Sequence, residues 1–145
     1  MELRPLTPAD DDLLRSLEEQ DDVWEYIGTL PQPDPVHSQH LFAVVDGQES
    51  LGMAGLVQSE ALGGKDFELL CAMKSEAQLH GFAKQACKLV LAWAFDTAKL
   101  ERVIASIDDS NDGARSIAAK LGMSELCAWP PSRTVYVKYR EERHA

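Results

Sequence analysis

The chain has 145 residues, of which 45% are hydrophobic and 26% charged, enough for one core, too few for two, and too apolar for a disordered chain. Its formal net charge of -10 argues against a nucleic-acid or anionic-membrane partner, since either needs a basic stripe to displace counterions. The longest apolar stretch, Leu89 to Phe95, falls far short of the roughly 20 residues that cross a bilayer, and Met1 to Leu6 carries no signal-peptide core, so export is not indicated.

Glu2 to Leu6 reads as a short strand. Thr7-Pro8 then supplies an N-cap with proline at the first helical position, opening a helix through about Glu19 with Leu13, Leu14 and Leu17 inside. A second short helix covers Asp22 to Ile27, and the three prolines between Gly28 and Gln39 mark a loop. His40 to Val45 and Gly52 to Val57 are strands separated by the hairpin signal Asp46-Gly47. Ala61 to Lys65 is a glycine-bearing connection, and Phe67 to Met73, apolar except for Glu68, is expected as a central strand covered on both faces. After Gly81, apolar residues recur at Phe82, Ala86, Leu89, Val90, Trp93 and Ala94 with a helical period. Arg102 to Ile107 is a strand, Asp112 to Leu121 a helix stopped by Gly122, and Ser124 to Ala128 with Arg133 to Tyr139 a closing strand pair. This alternation implies one α/β domain over residues 1–145, a mixed sheet with helices on both faces.

Cys71, Cys87 and Cys127 are odd in number and each lies in an apolar run, which suits buried free thiols in a reducing compartment and hence a cytoplasmic protein. His37 and His40 form a near pair without a third ligand at typical spacing, so no metal is expected. Asp10-Asp11-Asp12, Glu18-Glu19 and Asp21-Asp22 gather acid early in the chain. They read either as solvated helix faces or as a field that attracts an ammonium-bearing molecule or a basic peptide.

The junction between the strand Phe67 to Met73 and the helix opening near Gly81 carries the clearest chemistry. A glycine lets backbone approach a ligand, and a helix start offers unpaired N–H groups and a positive dipole end, together an anion site suited to a pyrophosphate. Many strand-to-helix turns share these features and bind nothing. Gln78-Leu79-His80-Gly81-Phe82-Ala83 reads Q-x-x-G-x-A and resembles the acyl-coenzyme A pyrophosphate loop of the GNAT superfamily of N-acetyltransferases. Asn111, followed by Lys120-Leu121-Gly122-Met123, is similar to a second motif of that superfamily at matching spacing, and the Lys99 to Val103 phrase looks most like its ribosomal-protein-alanine acetyltransferase branch.

The resemblance implies a mostly antiparallel central sheet of about six or seven strands that opens into a V between two central strands. It implies transfer of an acetyl group from acetyl-coenzyme A to a primary amine, a small molecule or a peptide N-terminus, by direct attack. Leu79, His80, Gly81, Phe82 and Ala83 would hold the pyrophosphate together with Gln78; Cys71, Ala72 and Met73 would pair with the pantetheine arm, and Asn111 would bind that arm or a substrate carbonyl. Asp109 to Gly113 is equally well a helix-capping turn. Glu68 is the candidate base by the same resemblance, and as a lone carboxylate in an apolar strand it alternatively faces solvent or pairs with a lysine. Ala114 and Ala118 stand where relatives carry their hydroxyl acid, leaving Ser110 and Tyr136 as substitutes. A degenerate member that binds acyl-coenzyme A or a protein partner without turnover is the alternative these departures keep open. Trp24 and Tyr26 stand where relatives bind acceptor, although a tryptophan at helical spacing also suits a core. Exposed sheet edges in this fold are often covered by a second copy, so a homodimer is possible.

Overall fold

A computed structural model describes residues 1–27, 30–31, 40–78 and 81–141, except the side chain of Trp24. Among these residues the strands form one seven-stranded sheet in the order β1-β2-β3-β4-β5-β7-β6. The strands are β1 (Glu2–Pro5), β2 (His40–Asp46), β3 (Glu49–Gln58), β4 (Phe67–Met73), β5 (Arg102–Asp108), β6 (Ser124–Trp129) and β7 (Arg133–Tyr139). The helices are α1 (Asp11–Glu18), α2 (Asp21–Tyr26), α3 (Ser75–Gln78), α4 (Phe82–Ala92) and α5 (Asp112–Lys120). All neighbouring strands run antiparallel except β4 and β5.

Strand alternation sorts apolar residues onto two faces. Leu41, Ala43, Met53 and Ala72 meet Leu13, Leu14, Leu17 and Val23 of α1 and α2. On the opposite face Val44, Leu56, Val103 and Ala105 meet Ala86, Val90 and Ala94 of α4 and its extension and Ala118 of α5. The β2–β3 hairpin turns through Gly47 at φ +64°, a left-handed conformation that glycine adopts without a Cβ clash. Its register slips between Val44 and Val45, so Leu51 lies outside the ladder as a bulge.

Three local expectations need correction. The first helix begins with a 3-10 turn, Pro8–Asp10, before α1. Asp10 explains the turn: its carboxylate accepts the Thr7 N–H at 2.9 Å and the Arg4 guanidinium at 2.9 and 3.1 Å, tying β1 to the helix start. Leu89 is 39% exposed rather than inside, because α4 lays its Ala86, Cys87, Val90 and Leu91 flank on the sheet. Cys127, expected buried, is exposed, because the edge strand β6 is exposed along its length; the short helix α3 was not legible in the apolar pattern. Most of the loop expected between Gly28 and Gln39 lies outside the described residues, although Leu30 is buried and its N–H donates to Glu18 Oε1 at 2.9 Å.

β4 and β5 are joined at their starts by an ion pair. Arg102, the first residue of β5, donates through Nε to Asp66 Oδ1 at 2.7 Å and through its second nitrogen to Oδ2 at 2.9 Å. Asp66 is buried, so removing one partner leaves an uncompensated group. Asp66→Ala is expected to lower unfolding free energy by about 2 kcal/mol, discounted for the part-exposed arginine, as read by urea denaturation; an unchanged midpoint would remove the clamp from this account.

Candidate active site

Beyond that clamp the two central strands part. β3 and β4 pair along the whole of β4, from Phe67↔Gln58 to Met73↔Gly52. β4 and β5 share the single register pair Glu68↔Ile104. Residues 67–71 of β4 are only half-buried, where the apolar run predicted cover on both faces, whereas Ala72 and Met73 are buried.

Glu68 stands at the fork, and its carboxylate accepts the Ser106 N–H at 3.1 Å. An unbroken parallel ladder would offer that N–H a main-chain acceptor. Here a side chain takes over where the strands separate. Burial pushes the Glu68 carboxyl above the usual glutamate range, opposed by the Ser106 N–H, the Ser59 hydroxyl and the charge of Arg133. Glu68 therefore neither faces open solvent nor pairs with a lysine.

At the open end of the fork, Gly81 precedes α4 at φ +71°. A Cβ there would meet nothing within 4 Å, and among the described residues no side chain caps the helix start. A left-handed glycine before a helix start suits an acyl-coenzyme A pyrophosphate, and Cys71, half-buried, with Ala72 and Met73, both buried, lies past the last register pair of β4 with β5. Gln78 is exposed, its Nε2 donating to Met73 O at 3.1 Å and Asp22 Oδ2 at 2.8 Å. Gln20 reinforces the same joint, donating to Met73 O and accepting the Ser75 N–H, both at 2.9 Å. Phe82 and Ala83 are half-buried against the core, while Leu79 and His80 lie outside the described residues.

On the α1–α2 face a cavity of about 740 Å³ opens beside Glu68, lined also by Tyr26, Val57, Leu70, Ser106, Trp129, Pro130 and Arg133. Arg133 spans it, donating to Ser106 O at 2.9 Å and Tyr26 O at 2.6 Å. A larger groove of about 1140 Å³ lies between the C-terminal ends of α4 and α5, lined by Lys88, Phe95, Lys120 and Arg140, among others. None of the sequence-predicted site residues lines it. The chemistry gathers at the smaller cavity.

The remaining candidates separate. Asn111 caps α5, accepting the Ala114 N–H at 3.2 Å. Ser110 is exposed and donates to Asp108 Oδ1 at 2.7 Å. Tyr136 pairs in register with Ala105 and is buried on the α4–α5 face, its hydroxyl 3.4 Å from Arg115 Nε. It packs in one cluster with Ala114 and Ala118. The structure thus joins Glu68 and Tyr26 at one cavity and leaves Tyr136 across the sheet. Sequence reasoning missed Arg133, Ser106 and Ser59. The only local signal was an arginine opening a strand after Pro130-Pro131, which specifies no partner.

Comparison with known proteins agrees with this geometry. Residues 1–124 match the acetyltransferase (GNAT) domain family. No curated protein matches the sequence. Among solved structures, a GNAT-family acetyltransferase from Bacillus anthracis superposes with a TM-score of 0.76 at 21% identity, covering 97% of this chain and 95% of that one. Spermidine N-acetyltransferase from Vibrio cholerae, solved with CoA and spermine, gives 0.78 at 17% identity over 96% and 95%. A ribosomal-protein alanine acetyltransferase from Vibrio fischeri gives 0.75 at 14% identity over 97% and 93%. Identities this low establish a shared fold, whereas the family match spans most of the sequence. The chain belongs to the acetyltransferase (GNAT) domain family and is by that membership an acyl-coenzyme A-dependent acetyltransferase.

Proposed function

We propose that this chain is a single-domain enzyme that transfers an acetyl group from acetyl-coenzyme A to a primary amine, with Glu68 as the base. The observation that carries the reading is the fork itself: a half-buried carboxylate stands where two parallel strands separate, and a glycine-led helix start follows the end of β4. Acetyl-coenzyme A supplies a thioester carbonyl for the amine nitrogen and a thiol leaving group, so that a C–N bond forms as the C–S bond breaks. Gly81 to Ala83 hold phosphate through main-chain N–H groups, and Cys71 to Met73 offer main-chain partners along the open edge. Glu68 takes the ammonium proton on the α1–α2 face. Tyr136, on the α4–α5 face beneath Ala114 and Ala118, is the favoured donor toward sulfur, with Ser110 as the other candidate. A base and an acid on opposite faces suit a passage running through the sheet. The ribosomal-protein-alanine branch is supported by the Lys99 to Val103 phrase and one structural likeness at 14% identity, and peptide N-termini belong in the acceptor screen for that reason.

Titration of acetyl-coenzyme A into the protein is expected to give micromolar binding that is lost in Gly81→Trp. Gly47→Trp is the matched control, since Gly47 also has positive φ with nothing within 4 Å of a Cβ. Binding that survives at Gly81→Trp, or fails equally at Gly47→Trp, would move the cofactor elsewhere.

Glu68 must be ionised to accept a proton, so the acid limb of the kcat/KM profile is expected above the ~4.3 of a free glutamate. Glu68→Gln keeps an oxygen for the Ser106 N–H and should lower kcat/KM by about 10²- to 10⁴-fold. Because the folded-state pKa is raised, the carboxyl's contribution to stability is complete below its unfolded pKa and is lost as pH rises through the folded one. Glu68→Gln is therefore expected to match or exceed the parent's Tm at pH 7; a clear fall would mean the ionised carboxylate is chiefly structural.

Tyr136→Phe is expected to lower kcat by about 10²-fold, the lower end for general acid catalysis, and Ser110→Ala to leave it nearly unchanged. Single-turnover rates decide this, and the reverse pattern would transfer the role to Ser110.

A further inference from the structure

The cavity beside Glu68 carries a second charge that the transfer reaction does not require. The Arg133 guanidinium has five N–H donors, and two hydrogen bonds, to Ser106 O and Tyr26 O, are made with main-chain carbonyls. Among the described residues no carboxylate stands within ion-pair distance of it. Ser106 lines the same cavity, and its hydroxyl is buried without a partner among the described residues. Buried hydroxyls are rarely left so. Among the described residues Glu68 and Arg133 are the only charged side chains in the lining, which also includes apolar groups such as Leu70, Trp129 and Pro130. Asp108 is near, but its carboxylate is held by Ser110 at 2.7 Å and Ser132 at 3.4 Å.

We propose, on the transferase reading above, that the acceptor is an amino-carboxylate of the α-amino-acid type, its ammonium set against Glu68, its carboxylate against Arg133, and an apolar side chain along Trp129 and Pro130. An anion and a cation in one cavity, not paired with each other, match a ligand carrying both charges a few bonds apart. A polyamine matches poorly, because its second ammonium would meet a guanidinium instead of a second carboxylate. Two of the acidic residues at the chain's start already have partners. Asp10 is engaged by Arg4 and Thr7, and Asp22 by Gln78 beyond the far end of β4. The products are the N-acetyl amino acid and free thiol: the C–N bond forms, the C–S bond breaks, and the ammonium protons pass to Glu68 and the leaving sulfur.

The test measures coenzyme A release from acetyl-coenzyme A with L-phenylalanine, phenylalaninamide, phenethylamine, L-leucine, isoamylamine and spermidine. The parent is compared with Arg133→Gln and Arg133→Lys, and each protein's fold is checked by circular dichroism. Each amino acid is expected to exceed its decarboxylated amine and spermidine in kcat/KM by about tenfold or more, chiefly through KM, with phenylalaninamide close to phenethylamine. Arg133→Gln should bring the acid-to-amine ratio near unity, and Arg133→Lys should keep part of it. If Arg133→Gln does not fold, Arg133→Lys decides, and an unchanged ratio there overturns the assignment. Equal or better use of the decarboxylated amines, spermidine or the amide also overturns it, as does acetyl-coenzyme A binding with no acceptor turned over. Absence of acetyl-coenzyme A binding in the parent would instead overturn the transferase reading, and this inference with it.

Discussion

The parallel pairing of β4 and β5 is the constraint on which the rest of the structure depends. Two neighbouring parallel strands require a crossover, and α4 with its extension supplies it, placing a helix N-terminus at the end of β4. Asp66 and Arg102 hold the pair together at one end. With one register pair beyond that clamp, the strands are free to diverge. A sheet zipped along its whole length would leave no passage. The opening and the carboxylate at the fork are thus consequences of a single interrupted ladder.

Glu68 has two duties that pull in different directions. As a hydrogen-bond acceptor for Ser106 it replaces part of the missing ladder and prefers to be charged. As a buried carboxylate it resists ionisation, and burial is the larger influence. Its raised proton affinity follows, at some expense in stability near neutral pH. Sites where a charged group is held out of water for chemistry commonly lower fold stability in this way.

The protein's net charge of -10 says little about its site. Asp10 secures a strand to a helix, Asp22 anchors Gln78, and Asp66 clamps the central strands. Each carboxylate acts within a few ångströms through a specific partner, where Coulomb and hydrogen-bond terms are large, while the summed field is screened over about 10 Å. The cavity that receives Tyr26, Glu68 and Arg133 is close to neutral as a whole and strongly polarised within.

The sequence by itself determined the features encoded over a few residues. The strand Phe67 to Met73 appears with the predicted bounds, Gly47 turns the hairpin, Gly81 leads α4, and Gly122 follows the end of α5 with positive φ. Alternation, turn chemistry and helical period are local, and so were legible. Tertiary structure alone decided which flank of α4 lies inward, that Gln78 bonds Met73 O, and that β4 pairs with β5 at a single register position. It also decided that Arg133 reaches Tyr26 across 107 residues of chain. Such pairings depend on strand order and on where a ladder stops, and those arise from the balance of packing on both faces of the sheet, which no short segment carries.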